Sequence, residues 1–173
     1  MPRPTLRTER LVLVPQTLAA ARALLAGEDP GLPLAAGYPH ADSLDALRMQ
    51  VEHGGPDDGG WFVTLAADGR VVGDCGTFGP PAEDGRVEIG YGLAAPFRGQ
   101  GIGTQAVAAL VEHLVGEPDV RVVTASVEVG NEPSRRLLER LGFSLTDGPA
   151  GTDRHWHFEL GARAQGVVDG GED

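Results

Sequence analysis

The sequence predicts a single mixed α/β domain. Three observations carry this. Hydrophobic spacing alternates between a period of two and a period near 3.6, one strand–helix–strand crossover spans 86–129, and the chain has 173 residues with 41% hydrophobic content. That length suits one core, and that composition suits a globular chain. The expected domain is 1–160. Residues 161–173, Gly- and Asp-rich with little apolar content, read as a flexible polar tail.

The elements follow in order. Residues 10–14 (Arg-Leu-Val-Leu-Val) predict a strand closed by Pro15, and 18–25 predict a helix. The stretch 28–38, punctuated by Pro and Gly, reads as a loop. Residues 43–53 predict a second helix with Leu44, Leu47 and Val51 on one face and Asp42 as its N-cap. A turn at 54–60 precedes a hairpin of 61–66 and 71–78, joined through Asp68-Gly69. Residues 86–93 are a strand. The helix 104–115 carries Val107, Leu110, Val111 and Leu114 at i, i+3, i+4 and i+7. In the strand 121–129, Val123, Ala125, Val127 and Val129 share a face. The helix 133–141 has Pro133 early and Gly142 as a left-handed terminator. Strands at 143–145 and 155–160 close a β-αα-ββ-β-α-β-α-β-β order.

Charge and composition exclude several classes. A net charge of −11 argues against a nucleic-acid partner and is compatible with a cationic amine. No apolar run reaches the roughly 18 residues a membrane helix requires. The first residues lead into a strand without an apolar signal core, so a cytoplasmic location is expected. The single cysteine, Cys75, reads as a small buried hydrophobe, and no metal is expected.

The most informative stretch is Arg98-Gly99-Gln100-Gly101-Ile102-Gly103-Thr104, between a strand and an amphipathic helix. Its glycines let the chain turn tightly, and the helix N-terminus offers unpaired N–H groups to an anion such as a pyrophosphate. Arg98 either adds a charge contact or caps the strand end. The glycine spacing is wrong for a Rossmann fingerprint, and the lysine of a P-loop is missing.

The run from Val87 to Gly103 resembles the acetyl-CoA-binding motif of the GNAT acetyltransferases. About 30 residues on, Asn131-Glu132-Pro133-Ser134, continuing to Gly142-Phe143, is similar to that family's second CoA motif. The opening Leu6-Arg7-Thr8-Glu9-Arg10-Leu11 resembles the branch containing the ribosomal-protein N-terminal acetyltransferases. The resemblance implies a mostly antiparallel sheet of about six to seven strands, a splayed central strand and about four helices. It implies acetyl-CoA as cosubstrate, with Gly92, Leu93 and Ala94 along its pantetheine arm. An N–H near Leu93 would meet the thioester carbonyl. Arg98, Gly99, Gln100, Gly101, Ile102, Gly103 and Thr104 would hold the pyrophosphate, and Asn131 the pantetheine. Asn131 also reads as an ordinary N-cap.

An alkyl amine is mostly protonated at neutral pH and needs a proton acceptor before it attacks. Glu88, in its Glu-Ile-Gly-Tyr context, is the first candidate; binding a cationic acceptor or pairing with an arginine is its other reading. Many family members carry a tyrosine where Leu138 stands, so Ser134 becomes the candidate acid; a helix-start hydroxyl or a CoA contact is its other reading, and the reaction can also run without a dedicated acid. His155 and His157 flank Trp156 on one strand face, beside the acceptor pocket rather than around a metal. Tyr38, His40, His53 and Trp61 come from the region that walls the acceptor side in the family. The expected partner is therefore an amine of a small molecule or a protein N-terminus, in a monomer or homodimer. A non-catalytic acyl-CoA sensor and a transferase of longer acyl groups are the alternatives.

Overall fold

The computed structural model describes residues 3–54 and 60–162. Eight strands form one sheet: β1 (Leu6–Arg7), β2 (Leu11–Pro15), β3 (Trp61–Leu65), β4 (Val71–Thr77), β5 (Arg86–Leu93), β6 (Val122–Glu128), β7 (Ser144–Asp147) and β8 (His155–Gly161). Their spatial order is β1-β2-β3-β4-β5-β6-β8-β7. Every pairing is antiparallel except β5 with β6. That one parallel pair needs a crossover, supplied by α3 (Ile102–Val115).

The helices sort onto two faces. Alternation along β5 and β6 sends Val87, Ile89, Val123, Ala125 and Val127 to one face, where α3 packs through Ala106, Val107, Leu110 and Leu114. Helix α4 (Glu132–Arg140) joins that layer through Leu138. On the opposite face, α1 (Leu18–Ala26) and α2 (Ala41–His53) cover the β2–β4 half through Ala21, Leu24, Leu47 and Phe62. The polar residues of β6 and β8 on that same face, Ser126 and His157 among them, are not roofed by a helix and stand beside the α2 edge.

Some expectations shift. The sheet has eight strands rather than six to seven, because β1 pairs through only two residues, too few for a period to show. Helix α2 begins two residues earlier than predicted. His40, in extended backbone, takes the N-cap position without a side-chain cap bond, and Asp42 lies in the first turn, where its charge suits the helix dipole. Helix α3 starts at Ile102, its N-cap Gly101 left-handed at φ 78°. Gly161 belongs to β8, opposite Val122, and most of the predicted tail lies outside the described residues. No helix among the described residues is long and apolar enough to cross a membrane.

Leu110 is fully buried where α3 meets the sheet. Leu110→Ala should lower unfolding stability by about 2–5 kcal/mol, read from the urea midpoint.

Candidate active site

The site is built where two strands part. β5 and β6 stay in parallel register for four pairs, from Arg86 opposite Val122 to Ile89 opposite Ala125. Beyond Ile89, β5 follows β4, with Gly92 opposite Asp74 and Leu93 opposite Gly73. Beyond Ala125, β6 follows β8. One edge of the segment from Gly90 to Leu93 therefore faces the gap without a strand partner. Pairing with β4 is tight: a Cβ on Gly73 would collide with the Gly92 carbonyl.

At the far end of β5 the glycine-rich turn leads into α3. Gly99 and Gly101 are left-handed, and a Cβ at either would meet nothing within 4 Å. The first helical hydrogen bond runs from Gln105 N–H to the Gly101 carbonyl, so the N–H groups of Ile102, Gly103 and Thr104 are the orphans of the first turn. Arg98 is anchored: its Nε donates to the Leu93 carbonyl at 3.0 Å, which favours the strand-end reading. Gln100 donates to the Pro96 carbonyl, and its own carbonyl accepts from Arg10 at 2.8 Å. Asn131 caps α4, its Oδ1 accepting from Ser134 N–H at 3.3 Å.

A cavity of about 750 Å³ opens from the gap toward α2. Gly90, Gly92, Asn131 and Ser134 line its strand side, and α2 closes the other. Four carboxylates line it, Asp42, Asp45, Asp74 and Glu128, with no lysine or arginine among the described lining residues. A cation is the ligand such a wall favours.

The residues read as candidates from sequence are placed as follows. Glu88 stands outside the cavity wall. Its Oε1 accepts at 2.8 Å from the hydroxyl of Ser126, which does line the cavity. The Ser126 oxygen also lies 3.2 Å from His157 Nδ1, and His157 Nε2 lies 2.6 Å from Asp153. His155 flanks the same carboxylate at 3.1 Å. Hydrogen bonds from His157 and then His155 hold the Asp153 carboxyl down at about 2. His40 and His53 line the cavity. Trp61 does not: it is buried on the α3 face, its indole N–H donating to the Pro4 carbonyl. Leu138 is fully buried, so the position where the resemblance leads one to expect a tyrosine is core here. The nearest phenol is Tyr91, 3.5 Å from the Ser134 carbonyl and pushed up in pKa by burial.

Sequence reasoning missed Asp74, Ser43 and Ser126. Asp74 accepts from the Tyr38 hydroxyl at 3.0 Å, and Ser43 is near enough to act against the burial-driven rise of its pKa. A carboxylate amid Val72 and Cys75 in a central strand was the available signal. Ser126 was legible as one of the polar residues alternating with Val123, Ala125 and Val127.

Fold and site together present a splayed parallel pair, a glycine-led helix N-terminus and an acidic cavity. The sequence profile of the Acetyltransferase (GNAT) domain matches residues 10–144, and the chain belongs to that family. The uncharacterized N-acetyltransferase YjdG of Bacillus subtilis is 28% identical over 126 residues, covering 70% of this chain and 74% of that protein. The prophage-derived N-acetyltransferase YokL of the same organism is 30% identical over 130 residues, covering 74% and 70%. Among solved structures, RimL, a ribosomal L7/L12 alpha-N-protein acetyltransferase in complex with coenzyme A, superposes with a TM-score of 0.68 at 17% identity, over 91% of this chain and 98% of that one.

Burial dominates Asp74 and raises its pKa, against the hydrogen bonds from Ser43 and Tyr38. A raised folded-state pKa means the folded chain keeps a proton that the unfolded chain has already lost. Stability therefore falls as pH rises from the ordinary carboxyl range through the raised value. Asp74→Asn should abolish this slope and leave the variant relatively more stable at pH 7 than at pH 4, as measured by thermal melts.

Proposed function

We propose that this chain is a cytoplasmic enzyme that transfers an acetyl group from acetyl-CoA to a cationic amine by direct attack. The observation that carries the reading is the cleft between β5 and β6, with an anion-ready helix N-terminus at one end and an acidic cavity at the other. When bound, acetyl-CoA supplies an acetyl group activated as a thioester. Gly99 to Thr104 hold its pyrophosphate, with Arg98 and Gln100 fixing the loop to the end of β5. The edge of β5 at Gly92, Leu93 and Ala94 would lie along the pantetheine arm; the Ala94 N–H is already bonded to the Val72 carbonyl, so an N–H near Leu93 would meet the acyl oxygen. Asn131 orients the start of α4, where Ser134 faces the departing sulphur.

Glu88 acts through Ser126 in this reading. Its carboxylate draws the ammonium toward the gap and fixes the Ser126 hydroxyl, so it is a positioning residue. A transferase of longer acyl groups would use the same loop, and comparison of acetyl- with succinyl-CoA binding separates the two. A non-catalytic sensor would bind acetyl-CoA yet release no CoA with any amine.

Two measurements test the reading. Gly101→Glu places a carboxylate where the anion belongs, at a cost to the fold of roughly 1–2 kcal/mol for the left-handed backbone. Calorimetry should show acetyl-CoA binding to the wild type and none to this variant; wild-type affinity in the variant removes the phosphate-loop assignment. Gly103 is the poorer site for this test, because a Cβ there lies 3.3 Å from Leu137. Glu88→Gln should raise the amine KM with little change in kcat. A kcat loss of about 10²–10⁴-fold would instead make Glu88 the base.

A further inference from the structure

The geometry points to His40 as the group that takes the proton from the acceptor amine, held by a Ser43–Asp74 relay. This rests on the acetyl-transfer reading above and names the base within that site. Three observations place the ring. His40 caps α2 and lines the cavity. Its Nε2 lies over Gly92, so close that a Cβ there would sit 2.6 Å from it. Gly92 belongs to the segment of β5 that faces the gap, so the ring overlooks the place where the acyl group must lie. Its other nitrogen, Nδ1, is 2.9 Å from the Ser43 oxygen.

The base needs one tautomer. Ser43 is fully buried, and its hydroxyl lies at Nδ1. An ionised Asp74 beside it only accepts, so a Ser43 hydroxyl turned toward Asp74 leaves the Ser43 oxygen to accept. With Ser43 accepting from His40, the ring proton sits on Nδ1. That leaves the lone pair on Nε2, which has no hydrogen-bond partner among the described residues. Tyr38 donates to Asp74 Oδ2 at 3.0 Å and holds the carboxyl group in place. The charged and titratable groups facing the ring are Asp74 from β4, Tyr38 from the preceding loop, Asp42 from the first turn of α2, and Glu128 across the cavity.

The step balances. Nε2 takes one proton from the ammonium, and the freed nitrogen lone pair forms the C–N bond. The C–S electron pair leaves with sulphur, which takes the second nitrogen proton as the thiol. His40 then returns its proton to water.

The experiment uses the full chain with acetyl-CoA and a panel of spermidine, lysine methyl ester and a serine-initiated peptide, following free CoA release. His40→Gln and His40→Asn should bind acetyl-CoA like the wild type but lose roughly 10²–10⁴-fold in kcat. The acid limb of the wild-type kcat profile should vanish in both. Ser43→Ala, which breaks the relay but keeps the ring, should give an intermediate loss. Wild-type kcat with a retained acid limb in either His40 variant overturns the assignment, as does a rise in amine KM alone. Absence of acetyl-CoA binding to the wild type, or of CoA release with every amine, instead brings down the acetyl-transfer reading, and the role of His40 with it.

Discussion

The structure depends on a parallel pair that is not sustained. β5 and β6 share four registered residue pairs and then part. Parting two strands inside a sheet exposes backbone donors and acceptors, which is costly unless each strand keeps its other neighbour. Here each does: β5 continues along β4 to Leu93, and β6 along β8 to Glu128. Close approach of β4 requires Gly73, and the Leu93 carbonyl is met by Arg98. The gap is thus supported on both flanks.

Much of this was legible in the sequence. The crossover 86–129 and the glycine turn within it located α3 to within two residues of its start at Ile102. The periodicity of 121–129 separated the buried Val123, Ala125 and Val127 from Ser126 on the other face. Local pattern fails where a contact joins distant segments. His40 sits 52 positions before Gly92 and carries no periodic signature, yet its ring packs on that glycine. Asp74 looks like an interruption in an apolar strand until Tyr38 and Ser43 arrive from another element to bond it. Leu138 shows the converse. Its place in the motif was plain, but only packing reveals that the side chain belongs to the core.

The two polar networks divide by solvent exposure. Around Asp74, burial makes ionisation expensive, so the hydroxyls of Tyr38 and Ser43 are needed to hold a charge there. The chain from Glu88 through Ser126 and His157 to Asp153 lies on the uncovered sheet face, where water screens each member and no single bond carries much weight. The inner network is the one whose geometry is rigidly specified, and it borders Gly92.

The acidic wall of the cavity has a consequence for turnover. In the proposed reaction, acetylation would convert an ammonium into a neutral amide, so Asp42, Asp45, Asp74 and Glu128 would attract the reactant and be indifferent to what it becomes. Affinity would then fall as the chemistry finishes, without any moving part. Such a site would discard its product by erasing the charge that held it.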